Sequence, residues 1–455
     1  MTPAPRTAPG TLTVEGGRPL AGTVTVPGFK HSLVSCVAAA AAADTPVRLE
    51  NCPDIEETRV LALLVTQLGG AARVTDGALV VDGTGMSTTT MSEEDVSRIH
   101  GSVYLLPSLL RRFGTVHMPR SGGCRIGDRA DGGRPVSQYV DVFQRFGAKA
   151  AHDDGGSLTV SAPRLVGCEI DLLDFTSDRR LRTGPLYSGA TKTALLTAAV
   201  ADGTSILHSP YPKPDVTELL TVLRALGVEV DVTGAGSYVV HGHGAPLSGR
   251  PVTHVLVPDL ITIMTWICAG ALLAEGPMTI RATRMRDAAR ALAPERAVLD
   301  SLGVRVDWDK ESCTVHPAGK LSPVDVVVAS HGVFSDSQPF LALLAARADG
   351  DSTIAETVWT GRFTYAEGLA ALGMDVRIEG TRLHIRGPWQ PEARNLGATA
   401  QDLRAAATLL LAALASPGTT TLDGMGHLAR GYRDLPGELV RSGARITAPA
   451  LLERL

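Results

Sequence analysis

A pattern that recurs six times limits the fold of this chain more than any other feature. A helix end rich in small residues runs into a short strand at AAADTPVRL (41 to 49), RRFGTVHM (111 to 118), AVADGTSIL (199 to 207), LLAEGPMTI (272 to 280), ARADGDSTI (346 to 354) and LASPGTTTL (414 to 422). A second amphipathic helix then ends each copy at QLGGAARV, RFGAKA, ALGVEV, SLGVRV, ALGMDV or RSGARI, with its glycine at Gly69, Gly147, Gly227, Gly303, Gly373 or Gly443. By subtraction these glycines are 78, 80, 76, 70 and 70 residues apart. The spacing predicts a strand, helix, strand, helix, strand, strand unit repeated six times. In such a unit the glycine caps the helix in the left-handed region, and segments such as AARV and VEVDV alternate with the period of half-buried strands.

Six units divide naturally as three plus three. The polar, Gly/Pro-containing stretch HGHGAPLSGRPVTH (241 to 254) reads as the linker, and VPGFK (26 to 30) as a second crossing. The expected organisation is a disordered tail over 1–10, a first domain over 26–250, and a second built from 11–25 with 251–455, with ligand in the cleft between them. From the first helix end to the second-helix glycine the gaps are 25, 33, 24, 27, 23 and 25 residues, so only the second copy is long. Its extra residues fall in RSGGCRIGDRADGGRPV (120 to 136), which sets Cys124 among Arg120, Arg125, Arg129 and Arg134 and five glycines. Glycines let backbone amides approach an anion, arginine forks suit phosphate and carboxylate, and the positive field favours a thiolate. An insertion in one copy of a repeat carries function, because the scaffold does not need it. The loop reads as a mobile lid.

Composition removes several classes of function. A net charge of -4 and 4% aromatic content give no signature for nucleic acid. Cys36, Cys52, Cys124, Cys168, Cys268 and Cys313 are scattered without metal-ligand or disulfide spacing, so a reduced, cytoplasmic protein with no metal and no cofactor is expected. The N-terminal segment lacks the apolar core of a signal peptide, and no run approaches the roughly 20 apolar residues that span a bilayer. Six of the 43 basic residues are lysine. Lys149, Lys310 and Lys320 read as surface charges, whereas Lys30, Lys192 and Lys213 adjoin apolar or Gly/Pro-rich turns.

VPGFKHS, RSGGCRIG followed by RPV, YSGATKTALLTAA, VFSDSQPF, AETVWTGRF, QDLRAAA and HLARGYRD, in this order, together resemble the enolpyruvyl transferases, above all the bacterial enzyme acting on UDP-N-acetylglucosamine. The resemblance covers almost the whole chain. It implies two inverse α/β barrels, each of three βαβαββ units with buried helices, joined by a two-strand hinge and closing on substrate. It also implies transfer of the enolpyruvyl group of phosphoenolpyruvate to a hydroxyl with release of phosphate. That donor carries a phosphate and a carboxylate a few bonds apart, so several cations must converge on it. The resemblance assigns Lys30, Arg362, Arg404 and Arg430 to that task, with Arg134 preferred over Arg125 or Arg129 from the loop. It makes Cys124 a general acid or product-release residue open to alkylation by fosfomycin, and Asp336 the base for the acceptor hydroxyl or its orienter. Asp259 is read as structural.

The acceptor side departs from the cell-wall enzyme. His31 follows the lysine where that enzyme has Asn, His100 replaces an arginine, RPVSQY replaces RPVDLH, and Lys213 and Asp215 replace two glutamates. Arg179, Arg180, Arg182 and Lys192 surround the segment expected to meet the acceptor's phosphate. The expected nucleotide-binding set is His31, His100, Pro135, Val136, Ser137, Gln138, Tyr187, Ser188, Gly189, Arg182 and Asp336. Retained donor machinery with a rewritten acceptor pocket points to a smaller uridine nucleotide, UMP, as in the enolpyruvyl transferases that open nikkomycin and polyoxin nucleoside antibiotic pathways. The alternatives are UDP-N-acetylglucosamine itself, shikimate 3-phosphate (against which the cysteine loop argues), and a catalytically silent nucleotide-binding paralogue.

Overall fold

The structure is a computed structural model describing residues 10–123, 126, 134–247, 249–393 and 395–448. The chain divides into two compact units, Gly28–Val257 and Met1–Pro27 with Pro258–Leu455, so it passes between them at 27/28 and again at 257/258. Among the described residues, each unit contains three small sheets.

In the first unit the sheets are Val252–Val255, Val47–Glu50, Ala78–Asp82 and Ala71–Thr75; Thr115–Met118, Leu158–Ser161 and Lys149–His152; and Glu229–Val232, Tyr238–His243, Asp202–His208 and Glu169–Asp171, each in spatial order. Its central helices, Lys30–Ala41 and Tyr187–Val200, are buried almost all round, so neither has a polar face. A helix without a polar stripe belongs inside, surrounded by the sheets, whereas amphipathic helices such as Pro214–Ala225 cover one side only. The second unit repeats the plan around Leu260–Leu273, Gln338–Ala345 and Leu403–Ala415. Glycines 69, 147, 227, 303, 373 and 443, which end the second helix of the six copies, all adopt positive φ, from 85° to 118°. This is the left-handed cap that the sequence pattern demanded.

The N-terminal strands do not join the copy that follows them. Thr11–Gly16 pairs antiparallel with both Gly418–Asp423 and Arg445–Thr447, the place that Arg382–Arg386 takes in the preceding sheet. Thr23–Thr25 runs parallel to Met278–Arg281, while Val252–Val255 runs parallel to Val47–Glu50. Each of these short strands therefore completes a sheet in one unit immediately before the chain leaves for the other. The stretch 241–254, read from its polarity as a linker, is part of the first unit: it holds the end of Tyr238–His243 and all of Val252–Val255. His243, Gly249, Arg250, Pro251 and Thr253 are exposed, so one side of these strands stays wet although Tyr238–His243 is an inner strand of its sheet. At the first crossing a Cβ on Gly28 would collide with the Asn51 carbonyl and the Leu256 side chain.

Candidate active site

The residues assigned to chemistry fall into two clusters, one in each unit. Cys124 and loop residues Arg125, Gly127, Arg129, Gly132 and Gly133 lie outside the described residues, so the lid and the thiol are placed by sequence alone.

In the first unit, Lys30 and His31 open the helix Lys30–Ala41, whose backbone at Ser35 is tied by its hydroxyl to the Asp215 carbonyl at 2.7 Å. Asp215 is buried, and its carboxylate accepts from Lys192 Nζ at 2.7 Å and Ser188 Oγ at 3.2 Å. Burial alone would raise the Asp215 carboxyl, but the charges of Lys192 and His31 and the two side-chain donors outweigh it and hold it below the ordinary value. The Lys192 ammonium also lies 4.9 Å from the centroid of the Tyr104 ring. His100 Nε2 lies 2.9 Å from the Tyr139 hydroxyl and Nδ1 lies 3.3 Å from Ser121 Oγ. Desolvation first, then the charges of Arg134, Lys192, Lys30 and His31, push the His100 pKa well below its ordinary value, so this imidazole is neutral at physiological pH. Arg134 thus joins the group at the root of the loop, where Gly122 donates its N–H to Ile99 O at 3.0 Å.

The remaining acceptor candidates separate. Pro135 and Val136 lead into the helix Ser137–Arg145, with Ser137 exposed and Gln138 buried. Buried Gly189 faces them: a Cβ there would stand 3.2 Å from Gln138 Nε2 and 3.3 Å from the Tyr139 hydroxyl. Tyr187 is a core residue with its hydroxyl donating to Ser209 O at 2.6 Å. The expected ring of four cations is reduced. Lys192 is committed to Asp215, and Arg179 to Asp171 and Asp174, while Arg180 and Arg182 are exposed. Of the lysines, Lys192 and Lys213 are buried, and Lys149, Lys310 and Lys320 are exposed, which matches the reading from their neighbours.

In the second unit, Asp336 bonds two guanidiniums. Its Oδ1 accepts from Arg362 Nη2, and its Oδ2 from Arg404 Nη2 at 2.9 Å and Nε at 3.2 Å. Behind Arg362, Nη1 donates to Ser335 Oγ at 2.9 Å, and Ser335 donates to Glu356 at 2.5 Å. Glu356 is almost fully buried and also accepts from Gln338 Nε2 at 2.7 Å and from the N–H groups of Val358 at 2.7 Å and Trp359 at 3.1 Å. Burial pushes its carboxyl above the ordinary value against those bonds and the Arg362 charge. Arg404 N–H is held by the helix cap Asp402 at 2.8 Å, and Arg404 Nη1 donates to the Tyr432 hydroxyl at 3.3 Å. Both guanidiniums are buried, yet Asp336 foremost among the acids raises their pKa, so both stay charged. Arg430 ends the 3₁₀ turn Met425–Arg430, partly exposed, two residues before Tyr432. Asp259 is structural as expected: it caps the helix Leu260–Leu273, accepting from Ile261 N–H at 3.0 Å and Thr262 N–H at 2.8 Å.

Sequence reading missed Glu356, Gln338, Tyr432, Tyr104 and Tyr139. Glu356, Gln338 and Tyr432 stand inside quoted motifs, but the partners that give them their part are set by packing between distant segments. Among the described residues, one group has ligand atoms close enough for a metal ion, Glu229, Asp231 and His241, within 4.8 Å of one another. Both its carboxylates are exposed on a sheet surface. Among the described residues, no helix is long and apolar enough to cross a membrane.

A family profile for EPSP synthase (3-phosphoshikimate 1-carboxyvinyltransferase) matches residues 14–439. The UDP-N-acetylglucosamine 1-carboxyvinyltransferase of Sulfurovum sp. (strain NBC37-1) is 30% identical over 437 residues, 96% of this chain and 98% of that protein. UDP-N-acetylglucosamine 1-carboxyvinyltransferase 2 of Bacillus subtilis (strain 168) is 31% identical over 439 residues, 96% of each. Among solved structures, the enolpyruvyl transferase NikO from Streptomyces tendae matches with a TM-score of 0.90 at 47% identity, covering 96% of this chain and 98% of that one. EPSP synthase from Acinetobacter baumannii shares the fold, with a TM-score of 0.72 at 17% identity over 96% of this chain and 99% of that one. The repeated βαβαββ units, whose sheets are four-stranded in five of six cases among the described residues, and the buried helices are those of the two-domain inverse α/β barrel, and the chain belongs to the enolpyruvyl transferases, enzymes that move a 1-carboxyvinyl group.

Proposed function

We propose that this enolpyruvyl transferase moves the enolpyruvyl group of phosphoenolpyruvate to the 3'-hydroxyl of UMP, releasing phosphate. The observation that carries the choice of acceptor is the Lys192–Asp215 pair. It takes a lysine out of the cation set around the acceptor segment, just as Arg179 is taken by Asp171 and Asp174. Arg180 and Arg182 stay exposed, and two guanidiniums match the charge of up to about two that a terminal phosphate monoester carries. Neutral His100, Tyr139, Gln138 and Ser188 remain to hydrogen-bond a base and ribose. The 47% identity with NikO, beside 30% with the Sulfurovum sugar-nucleotide enzyme, agrees with an acceptor pocket of a different kind.

In this reading Arg362, Arg404, Arg430, Lys30 and Arg134 are the cations that hold the phosphate and carboxylate of the donor. The acceptor oxygen bonds to C2 of the donor as its proton passes to Asp336, and the methylene carbon takes a proton, with Cys124 as the assigned acid. Loss of a proton from that carbon then breaks the C2–O bond to phosphate and restores the double bond. Fixed guanidiniums stabilise the charge on the leaving phosphate. Purified protein incubated with phosphoenolpyruvate and either UMP or UDP-N-acetylglucosamine decides the acceptor by phosphate release. Turnover with the sugar nucleotide alone overturns the proposal.

A further inference from the structure

We propose that Asp336 competes with the donor's anionic group for the same two guanidiniums, so that donor binding itself releases this carboxylate to act as a base. The inference rests on the reading that Arg362 and Arg404 bind phosphoenolpyruvate.

The geometry is that of an anion seat with an anion of the protein in it. One oxygen of Asp336 meets Arg362 and the other meets the Nε and Nη2 edge of Arg404, the side-on fork by which arginine takes a phosphate or carboxylate. Of the three side chains Asp336 is the most exposed, at 16% against 9% for Arg362 and 5% for Arg404, so an incoming anion meets the carboxylate first. Each arginine is also anchored from behind by groups that do not involve Asp336. Arg362 holds Ser335, which leans on Glu356; Arg404 bonds Tyr432, its guanidinium carbon 5.8 Å from that ring's centroid, and Tyr432 is fixed in turn by Thr265 at 2.8 Å. Neighbouring Ser335 and Gln338 are tied to Glu356, so the turn bearing Asp336 is fixed while its side chain turns away.

Exchange has a chemical consequence. A carboxylate whose oxygens are engaged by two cations has little basicity, and it cannot take a hydroxyl proton while both remain on it. A phosphate or carboxylate of the donor supplies the guanidiniums with a replacement at equal charge, so the buried cations are never left uncompensated. The freed carboxylate then sits next to the donor it has just been displaced by. Base and electrophile are armed together, and the acceptor hydroxyl is not deprotonated when no donor is bound.

The test is binding to the full-length protein without acceptor. Inorganic phosphate and phosphoenolpyruvate are titrated calorimetrically into wild type, Asp336→Asn, Asp336→Ser and Arg362→Met, with folding checked by thermal denaturation. The inference requires both Asp336 variants to bind either anion at least about tenfold more tightly than wild type. Their melting temperatures should also rise more steeply with added phosphate, although neither variant turns over. A structural role for Asp336 would leave anion affinity unchanged or weaker, and that result in either folded variant overturns the inference. Binding by wild type that is lost in Arg362→Met, with no gain in the Asp336 variants, removes this inference alone. No binding to any of the four proteins removes the donor-site reading and the inference with it.

Discussion

Lys192 Nζ stands 2.7 Å from Asp215 Oδ2, with each side chain only 6% exposed, and the pair ties the helix Tyr187–Val200 to the start of Pro214–Ala225. Breaking such a pair leaves one buried charge uncompensated, which costs about 3–5 kcal/mol. Asp215→Asn and Lys192→Met should each lower unfolding stability by that order in denaturant titration, and the double variant should lose less than the sum. Equal, additive losses would show that the two charges do not act as a pair.

His100 sets a pH dependence. Its folded pKa is depressed well below the ordinary 6.5, so between the two values the unfolded chain binds the extra proton. The stabilisation is complete above about 6.5 and is lost as pH falls toward the folded value, by at most about 1.4 kcal/mol per pH unit. The difference in stability between wild type and His100→Asn should shrink steadily on acidification from pH 7 to 5. A constant difference would mean that His100 is not held neutral.

Gly189 sits where a methyl group is expected to be felt locally. Gly189→Ala places its Cβ 3.2 Å from Gln138 Nε2 and 3.3 Å from the Tyr139 hydroxyl, displacing both by a few tenths of an ångström. The KM for the acceptor nucleotide should rise several-fold while the KM for phosphoenolpyruvate and the melting temperature stay close to wild type. Equal changes in both KM values would remove Gly189 from the acceptor pocket.

The thiols separate by reactivity. Burial pushes Cys52 and Cys313 up to about 12 and Cys168 up to about 11, and Cys268 rises for the same reason. A thiol with such a pKa is almost wholly protonated at neutral pH and alkylates slowly. Iodoacetamide or fosfomycin at pH 7 should therefore add one group per chain, at Cys124, by peptide mass mapping. Cys124→Ala should abolish that adduct and lower turnover more than nucleotide binding. Labelling spread over several cysteines would argue against a single activated thiol.

The repeat, the left-handed glycines and the separation of buried from exposed lysines were legible in the sequence, because local rules govern them: a helix cap needs glycine, and a half-buried strand alternates. The motifs carrying Asp336, Arg362 and Arg404 were legible for the same local reason, as short strings of residue types. Which group pairs with which was not. That Asp336 lies between two arginines from positions 26 and 68 residues away, that Glu356 supports one of them from below, and that Lys192 spends its charge on Asp215 are decided by how helices and sheets pack. The same holds for Thr11–Gly16 closing a sheet with strands at the other end of the chain. Sequence by itself determined the periodic scaffold and the inventory of reactive groups, which depend on neighbours along the chain. Tertiary structure alone decided the state of each charge, because burial and the distance to an opposite charge are set by residues far apart in sequence.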